Sequence, residues 1–394
     1  MDLGRMEFKT MITLVKDTIG NDDIDQLIDW LKTYPRLTKG PLTMELEKKW
    51  SKWLGRKYSV FCNSGSSANL LMLSALKEGH YMKNNKVVVP SVAWSTDLAP
   101  VMQLGMEPIL CDSNIKELSV DLNHLEQLFQ LHSPSALMFV SVLGLVPDME
   151  KIVKLCLQYN VTLLEDTCES MGCEYKNKKL GTFSKMSSFS TYFGHHISTI
   201  EGGFVTTDDE ELYELLLSLR SHGWDRDLSK SSQITLQHDW SVSEFDAMYT
   251  FYHPGFNLRS TDLQAFIGIN QIDKLDEWGE KRENNFKLYQ KLIKNDYWKV
   301  NPTPDSFISN FAYPIIHPNR DKIVKKLQDN DIEVRPMICG SMGTQPFYIK
   351  KYGRLELPNA SIINKYGCYV PNHPHLTNDE IKFICNIIND EVTE

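Results

Sequence analysis

The chain has 394 residues, 42% hydrophobic and 24% charged, with a formal net charge of −9 at pH 7. That composition excludes wholesale disorder, and the acidic balance argues against unspecific nucleic-acid binding while leaving room for a local basic patch that holds a phosphorylated ligand. A length beyond the roughly 250–300 residues at which single cores stop growing predicts one large domain and one small one.

Asp2, Arg5, Glu7 and Lys9 interrupt the apolar residues of the N-terminus, and no run approaches membrane-spanning length, so neither a secretory leader nor a membrane anchor is expected and the protein is placed in the cytoplasm. The eight cysteines, Cys62, Cys111, Cys156, Cys168, Cys173, Cys339, Cys368 and Cys385, form no Cys-x-x-Cys pair and no cluster at metal-ligand spacing. Reduced, mostly buried thiols and no metal site are expected.

In chain order, helical periodicity over 22–33 follows an Asn/Asp cap, a loop covers 37–41, and a second helix runs from Pro41 to about Trp53. Tyr58–Cys62 reads as a strand. The turn Asn63-Ser64-Gly65-Ser66-Ser67-Ala68-Asn69 then leads into a helix carrying Leu70, Leu73 and Leu76. Small residues at a strand-to-helix turn fit either a phosphate cradle at the positive end of a helix or a plain capped turn. Lys86–Pro90 is a buried-type strand, and Trp94 beyond it is either a core filler or an indole face for a flat ring.

Strands and helices then alternate: a strand at 108–111, a helix near 122–131, a strand over 136–143, a helix near 149–159 and a strand over 161–166. Continuous apolar strands alternating with helices predict a mainly parallel α/β sheet, with ligands at the carboxyl ends of its strands. Asp166 and Glu169 follow the last of these strands, as a solvated turn or as buried carboxylates facing a cationic ring.

Two short apolar runs flank the histidine-bearing loop of Ser188-Phe189-Ser190-Thr191-Tyr192-Phe193-Gly194-His195-His196, and a Gly202-Gly203 turn opens the second run. A helix is expected over 210–221, a mobile or ligand-covering loop over 227–250, and one long amphipathic helix over 260–295. The strand 311–316, helix 321–330 and strand 333–336 suggest a smaller α+β domain.

These segments resemble the DegT/DnrJ/EryC1/StrS family of fold-type I sugar enzymes, which depend on pyridoxal 5′-phosphate (PLP), over nearly the whole length. The carriers are Asn63 to Ala68, Pro90 to Thr96, Glu165-Asp166-Thr167-Cys168-Glu169-Ser170-Met171-Gly172, the stretch 188–203, and Gly255-Phe256-Asn257-Leu258-Arg259 with the residues 262–268. The resemblance implies an aspartate-aminotransferase-like fold with a seven-stranded, mainly parallel sheet. It also implies an N-terminal helical segment (1–40), a large PLP-binding domain (41–260), a linking helix (261–304) and a small C-terminal domain (305–394).

The family places a cofactor-tethering lysine six residues before the Glu of Glu-Gly-Gly; counted back from Glu201, that position is His195. Imidazole has no primary amine, so ordinary transamination is not expected. Within the family, His-His near Glu-Gly-Gly resembles the 3-dehydratases of nucleotide-linked 4-keto-6-deoxy sugars, the GDP-4-keto-6-deoxy-D-mannose enzymes of colitose biosynthesis among them.

By that resemblance Gly65, Ser66, Ser67 and Ser190 hold the PLP phosphate, with Asn257 reaching it from the neighbouring subunit of a homodimer with shared sites. Trp94 stacks on the ring, Asp166 pairs with its nitrogen and Glu169 accepts from its hydroxyl. L-Glutamate converts PLP to pyridoxamine 5′-phosphate (PMP), His195 moves the proton, the sugar C3 hydroxyl leaves, and ammonia is released. Arg220, His222 and Arg226 are candidates for anionic groups of substrate, or else a solvated basic loop. The rivals are a transaminase borrowing Lys185, an iron–sulphur CDP-sugar dehydratase, for which the cysteine spacing is wrong, and a non-catalytic regulator.

Overall fold

The computed structural model describes residues 11–392; the charged stretch from Asp2 to Lys9 lies outside the described residues. Helix α1 (Asn21–Leu31) precedes α2 (Pro41–Leu54), strand β1 (Tyr58–Cys62) and α3 (Gly65–Glu78). Then come β2 (Lys86–Pro90), α4 (Ser95–Gln103), β3 (Glu107–Cys111), α5 (Leu122–His132), β4 (Ala136–Val140), α6 (Met149–Gln158) and β5 (Thr162–Asp166). A hairpin of β6 (Glu174–Tyr175) and β7 (Lys178–Lys179) leads to β8 (Met186–Ser190), β9 (Gly203–Thr207) and α7 (Glu210–Arg220).

Seven of these strands form one sheet in the order β1-β9-β8-β5-β4-β2-β3. Only β9 runs against its neighbours: it pairs antiparallel with β1 and β8, and the other pairs are parallel. The strands are buried on both faces, as their continuous apolar sequences predict. Beneath β9, Trp50 of α2 stacks on Phe204 with centroids 4.3 Å apart and meets Phe189 edge-on at 5.0 Å, which fixes α2 against the strands that carry the histidine loop.

The rest of the chain comprises α8 (Lys230–Asp239), α9 (Asp262–Ile272), α10 (Leu275–Leu292), β10 (Ser306–Phe307), β11 (Ala312–Ile316), α11 (Arg320–Asp329), β12 (Arg335–Pro336), α12 (Pro346–Tyr352), α13 (Pro358–Tyr366), β13 (Gly367–Pro371) and α14 (Asn378–Val392). β11, β13 and β12 make a small antiparallel sheet. Among the described residues no helix is long and apolar enough to cross a membrane.

Four sequence expectations need correction. Residues 227–250 are not a loop: α8 and a 3-10 turn at Asp246–Tyr249 occupy them, and α8 was illegible because none of its residues is buried and it carries no apolar stripe. The single helix over 260–295 is two, broken at Asp273 and Lys274, where Lys274 turns to pair with buried Asp23 at 2.6 Å. The strand expected over 136–143 stops at Val140, and a 3-10 turn follows it with Leu143 at φ 50°. The strand expected over 333–336 is only Arg335–Pro336.

Asp262, 3% exposed, ties the start of α9 to the start of α2. Its carboxylate accepts from the Gly40 N–H at 2.7 Å, the Thr43 N–H at 2.9 Å and the Thr43 hydroxyl at 2.7 Å, closing the start of α2 onto α9. Asp262→Ala strands these buried donors and is expected to cost about 2–4 kcal/mol by urea unfolding with an unchanged m value; a loss below about 0.5 kcal/mol would show that the clamp carries no load.

Candidate active site

A cavity of about 680 Å³ opens at the carboxyl ends of β1, β2, β4, β5 and β8. Ser64, Trp94, Val140, Asp166 and Ser190 come from those strand ends; Phe311, Glu333, Arg335 and Tyr369 close the cavity from the small-sheet side, and Thr13 to Val15 run along its rim.

One wall is the turn into α3. Ser64 caps the helix, accepting from the Ser67 N–H at 3.1 Å, so the first-turn N–H groups of Gly65 and Ser66 point outward at the positive end of a 14-residue helix. The turn has no room for a side chain at Gly65: a Cβ there would lie 2.6 Å from Ser190 Cβ and 2.9 Å from Cys168 Sγ. Gly203 meets the same turn from β9, where a Cβ would sit 2.4 Å from the Ser64 backbone. Gly65, Ser66 and Ser190 line the cavity; Ser67 does not, and its N–H donates to the Ser64 hydroxyl while its own hydroxyl accepts from Ser64.

Opposite lies a set of buried carboxyl groups. Asp166 accepts from Asn69 Nδ2 at 2.6 Å and from the Cys168 N–H at 2.8 Å, and Asn69 is itself oriented by the Ser188 hydroxyl at 2.6 Å. Asp97 hydrogen-bonds to Asp166; burial first and the Asp166 charge second push Asp97 well above the usual carboxylate range. Glu169 is pushed up to about 8, by burial against the opposing Leu143 N–H, which donates to its Oε2 at 2.6 Å. The left-handed Leu143 aims that N–H at the carboxylate. Trp94 is 53% exposed at the start of α4, an indole face open to the cavity rather than a core filler.

The third wall is the loop between β8 and β9. Thr191 and Gly202 bond across its base at 2.9 Å, and the Thr191 and Thr199 hydroxyls meet at 2.5 Å. His196 is fully buried and donates from Nε2 to the Ser309 carbonyl at 2.5 Å, which anchors the loop. His195 is half-buried on the cavity wall, edge-on to Phe311 at 5.6 Å, with Nδ1 unpartnered. Burial lowers its pKa to about 4, with Asp166 pulling upward and Arg282 downward, so the imidazole is a neutral base at pH 7.

The remaining sequence candidates stand elsewhere. Arg220 is withdrawn as an anion ligand: it is fully buried and its two Nη atoms are taken by Glu47 at 2.5 Å, Asp227 at 3.3 Å and the Phe61 carbonyl. Arg226, lying 3.9 Å above the Trp224 ring, and Asn257 line a separate surface groove with Arg259. His222 is half-buried beside that groove, 3.3 Å from Arg259. Lys185 pairs with Asp209 at 2.5 Å at the amino end of β8, on the order of 15 Å of strand away from the histidine loop, so it cannot stand in for a missing lysine. Sequence reasoning missed Asn69, Asp97, Glu333, Arg335 and Tyr369; nothing in their local spacing marks them.

These residues fit PLP: an anion cradle that only glycine permits, an exposed indole, and the buried Asp166 carboxylate, held by Asn69 and the Cys168 N–H, where a cationic ring nitrogen would find its partner.

Comparisons with known proteins agree with that fit. The sequence profile of the DegT/DnrJ/EryC1/StrS aminotransferase family matches residues 17–389. The chain is 35% identical over 362 residues to the GDP-4-keto-6-deoxy-D-mannose 3-dehydratase of Yersinia pseudotuberculosis, covering 89% of this chain and 91% of that one. It is 34% identical to the enzyme of that name from Escherichia coli O55:H7, covering 89% and 92%. A crystal structure of GDP-4-keto-6-deoxymannose-3-dehydratase with a trapped PLP–glutamate geminal diamine superposes with a TM-score of 0.86 at 30% identity, covering 96% of this chain and 100% of that one. A variant of such an enzyme with bound GDP-perosamine gives 0.87 at 31% identity, with the same coverage. The fold is thus that of the fold-type I PLP enzymes, and the chain belongs to the DegT/DnrJ/EryC1/StrS aminotransferase family.

Proposed function

We propose that this chain is a PLP-dependent 3-dehydratase of a nucleotide-linked 4-keto-6-deoxy sugar, GDP-4-keto-6-deoxy-D-mannose, with L-glutamate as amino donor. The observation that carries the reading is the identity of the group on the cavity wall: among the described residues lining it there is no lysine, and His195 stands where the family has one. The net reaction balances as keto sugar plus glutamate giving 4-keto-3,6-dideoxy sugar, 2-oxoglutarate and ammonia, glutamate supplying the two electrons that replace the C3 hydroxyl by hydrogen.

Bound in the cavity, the cofactor supplies the electron sink for C3–O cleavage. Gly65, Ser66 and Ser190 hold the phosphate; Asp166, with Asn69 fixing its carboxylate, keeps the ring nitrogen protonated; Trp94 covers one ring face; Glu169 accepts from the ring hydroxyl. His195 takes and returns a proton through its ring nitrogen, and with no amine among the described lining residues none of them recaptures the cofactor covalently. Arg335, the one guanidinium among the described lining residues, meets anionic groups of donor or nucleotide. Arg226, His222 and Asn257 lie around a groove on another face and serve the site of a second subunit. In support of a homodimer, Ile24, Ile28 and Leu31 of α1 and Trp240, Phe245, Tyr249 and Phe251 near that groove are exposed apolar side chains. A nucleotide-sugar substrate supports a cytoplasmic location.

Incubation with PLP, L-glutamate and GDP-4-keto-6-deoxymannose is expected to yield 2-oxoglutarate, ammonia and a 3-deoxy sugar; accumulation of a 4-amino sugar would overturn the reading. His195→Asn should cut C3–O cleavage by roughly 100-fold or more with PLP binding retained, and retained turnover would move the base elsewhere. Because the pKa of His195 is lowered, its neutral form persists as pH falls, so the acid limb of kcat/KM that it controls should lie below pH 6.5. A His195-dependent limb above that pH would contradict the burial described here.

A further inference from the structure

Arg335 reaches the cavity wall with a carboxylate already on it. Glu333 Oε1 pairs with Arg335 Nη2, while Glu333 Oε2 accepts from the Leu14 N–H at 2.7 Å. The segment 12–18 that supplies this N–H is fixed at both ends. At one, the Ile12 N–H donates to the Asp331 carbonyl at 2.8 Å and the Glu333 N–H returns to the Ile12 carbonyl at 2.9 Å. At the other, the Thr18 hydroxyl accepts from the Ser198 N–H of the histidine loop at 3.0 Å, and its carbonyl accepts from Gln271 at 3.1 Å. The Glu333 side chain is 25% exposed and that of Arg335 49%, so the carboxylate is the anchored member of the pair and the guanidinium the loose one. Thr13, Leu14, Val15, Glu333 and Arg335 all line the cavity.

A pair this exposed holds its members weakly, so an anion arriving in the cavity can draw Arg335 away at little cost. Glu333 cannot follow, because Leu14 holds it in the wall, and its Oε1 is left facing the newcomer. A bare anion set beside that carboxylate is repelled. An anion that also carries an O–H or N–H supplies the missing partner and gains a charge-assisted hydrogen bond.

Resting on the dehydratase reading, we propose that Glu333 is a specificity-determining residue: a resident counter-ion that yields Arg335 to an incoming anionic oxygen, accepts from a hydroxyl or N–H of the same ligand, and reclaims Arg335 when the ligand leaves. The chemistry selected is an anionic oxygen with a hydrogen-bond donor close by, which an α-amino acid and a nucleotide-linked sugar both present. The two must use and vacate one cavity in turn, and a counter-ion that returns keeps either from being held.

Glu333→Gln keeps the shape and an oxygen for the Leu14 N–H, removes the charge, and turns an NH2 toward the ligand where an acceptor stood. Sulfate, an anion without a donor, is the probe, titrated through the thermal midpoint of the PLP-loaded full-length protein. Glu333→Gln is expected to lower the sulfate dissociation constant by roughly 3- to 10-fold, and to have no effect on it in an Arg335→Ala background. It should also raise KM by roughly fivefold or more for the ligand that uses the pair, L-glutamate or the nucleotide sugar, and the arm that moves identifies which. Sulfate affinity unchanged or weakened, an effect that survives in Arg335→Ala, or a rise in neither KM overturns the proposal. Amide exchange over 11–20 checks that the segment stays seated. Should Glu333→Gln unseat it or fail to fold, Glu333→Asp, one methylene shorter and so withdrawn from Arg335, must tighten sulfate likewise, an unchanged affinity again overturning the proposal. The sulfate titration needs no turnover, so tighter sulfate in a protein that makes no 3-deoxy sugar would sink the dehydratase reading and leave the counter-ion exchange standing.

Discussion

The site depends on one close contact, the seating of Gly203 against the Ser64–Gly65 turn. β9 is inserted antiparallel between β1 and β8, and its first residue meets the start of α3 at a separation that leaves no space for a Cβ. That contact fixes the return point of the loop that leaves β8, and the Thr191–Gly202 bond closes the loop above it. The anion cradle and His195 are therefore positioned by one seam of backbone. Trp50, wedged against Phe189 and Phe204, holds the seam from beneath.

Charge decides what the cavity can do. Its floor is acidic, with Asp97, Asp166 and Glu169 buried together and two of them pushed up in pKa, so the floor takes a cation readily and repels a second anion. The anion-binding features stand apart from it, at the α3 N-terminus and at Arg335. A flat ligand with an anionic arm and a cationic ring matches this separation, and the neutral imidazole of His195 lies between the two. With no primary amine among the described residues of the wall, a ligand carbonyl brought there finds a base but no nucleophilic nitrogen from those residues.

Much of this was legible in the sequence because the relevant residues follow short apolar strands, and the carboxyl ends of parallel strands are where such sheets keep their ligands. Gly65, Ser66, Trp94, Asp166, Glu169, Ser190 and His195 all stand on the cavity wall. What stayed hidden acts over long sequence separations. The burial of Arg220 depends on Glu47, 173 positions away, and the orientation of Asp166 on Asn69, 97 positions away. α8 escaped for a different reason, being polar on every face.

Dehydration in place of transamination requires that no lysine of the chain tether the cofactor. Borohydride reduction of the PLP-loaded protein, followed by intact mass measurement, tests it directly. An unmodified chain is expected, with cofactor recovered free after denaturation; a chain heavier by one reduced cofactor, with the adduct mapped to any lysine, would contradict the dehydratase reading.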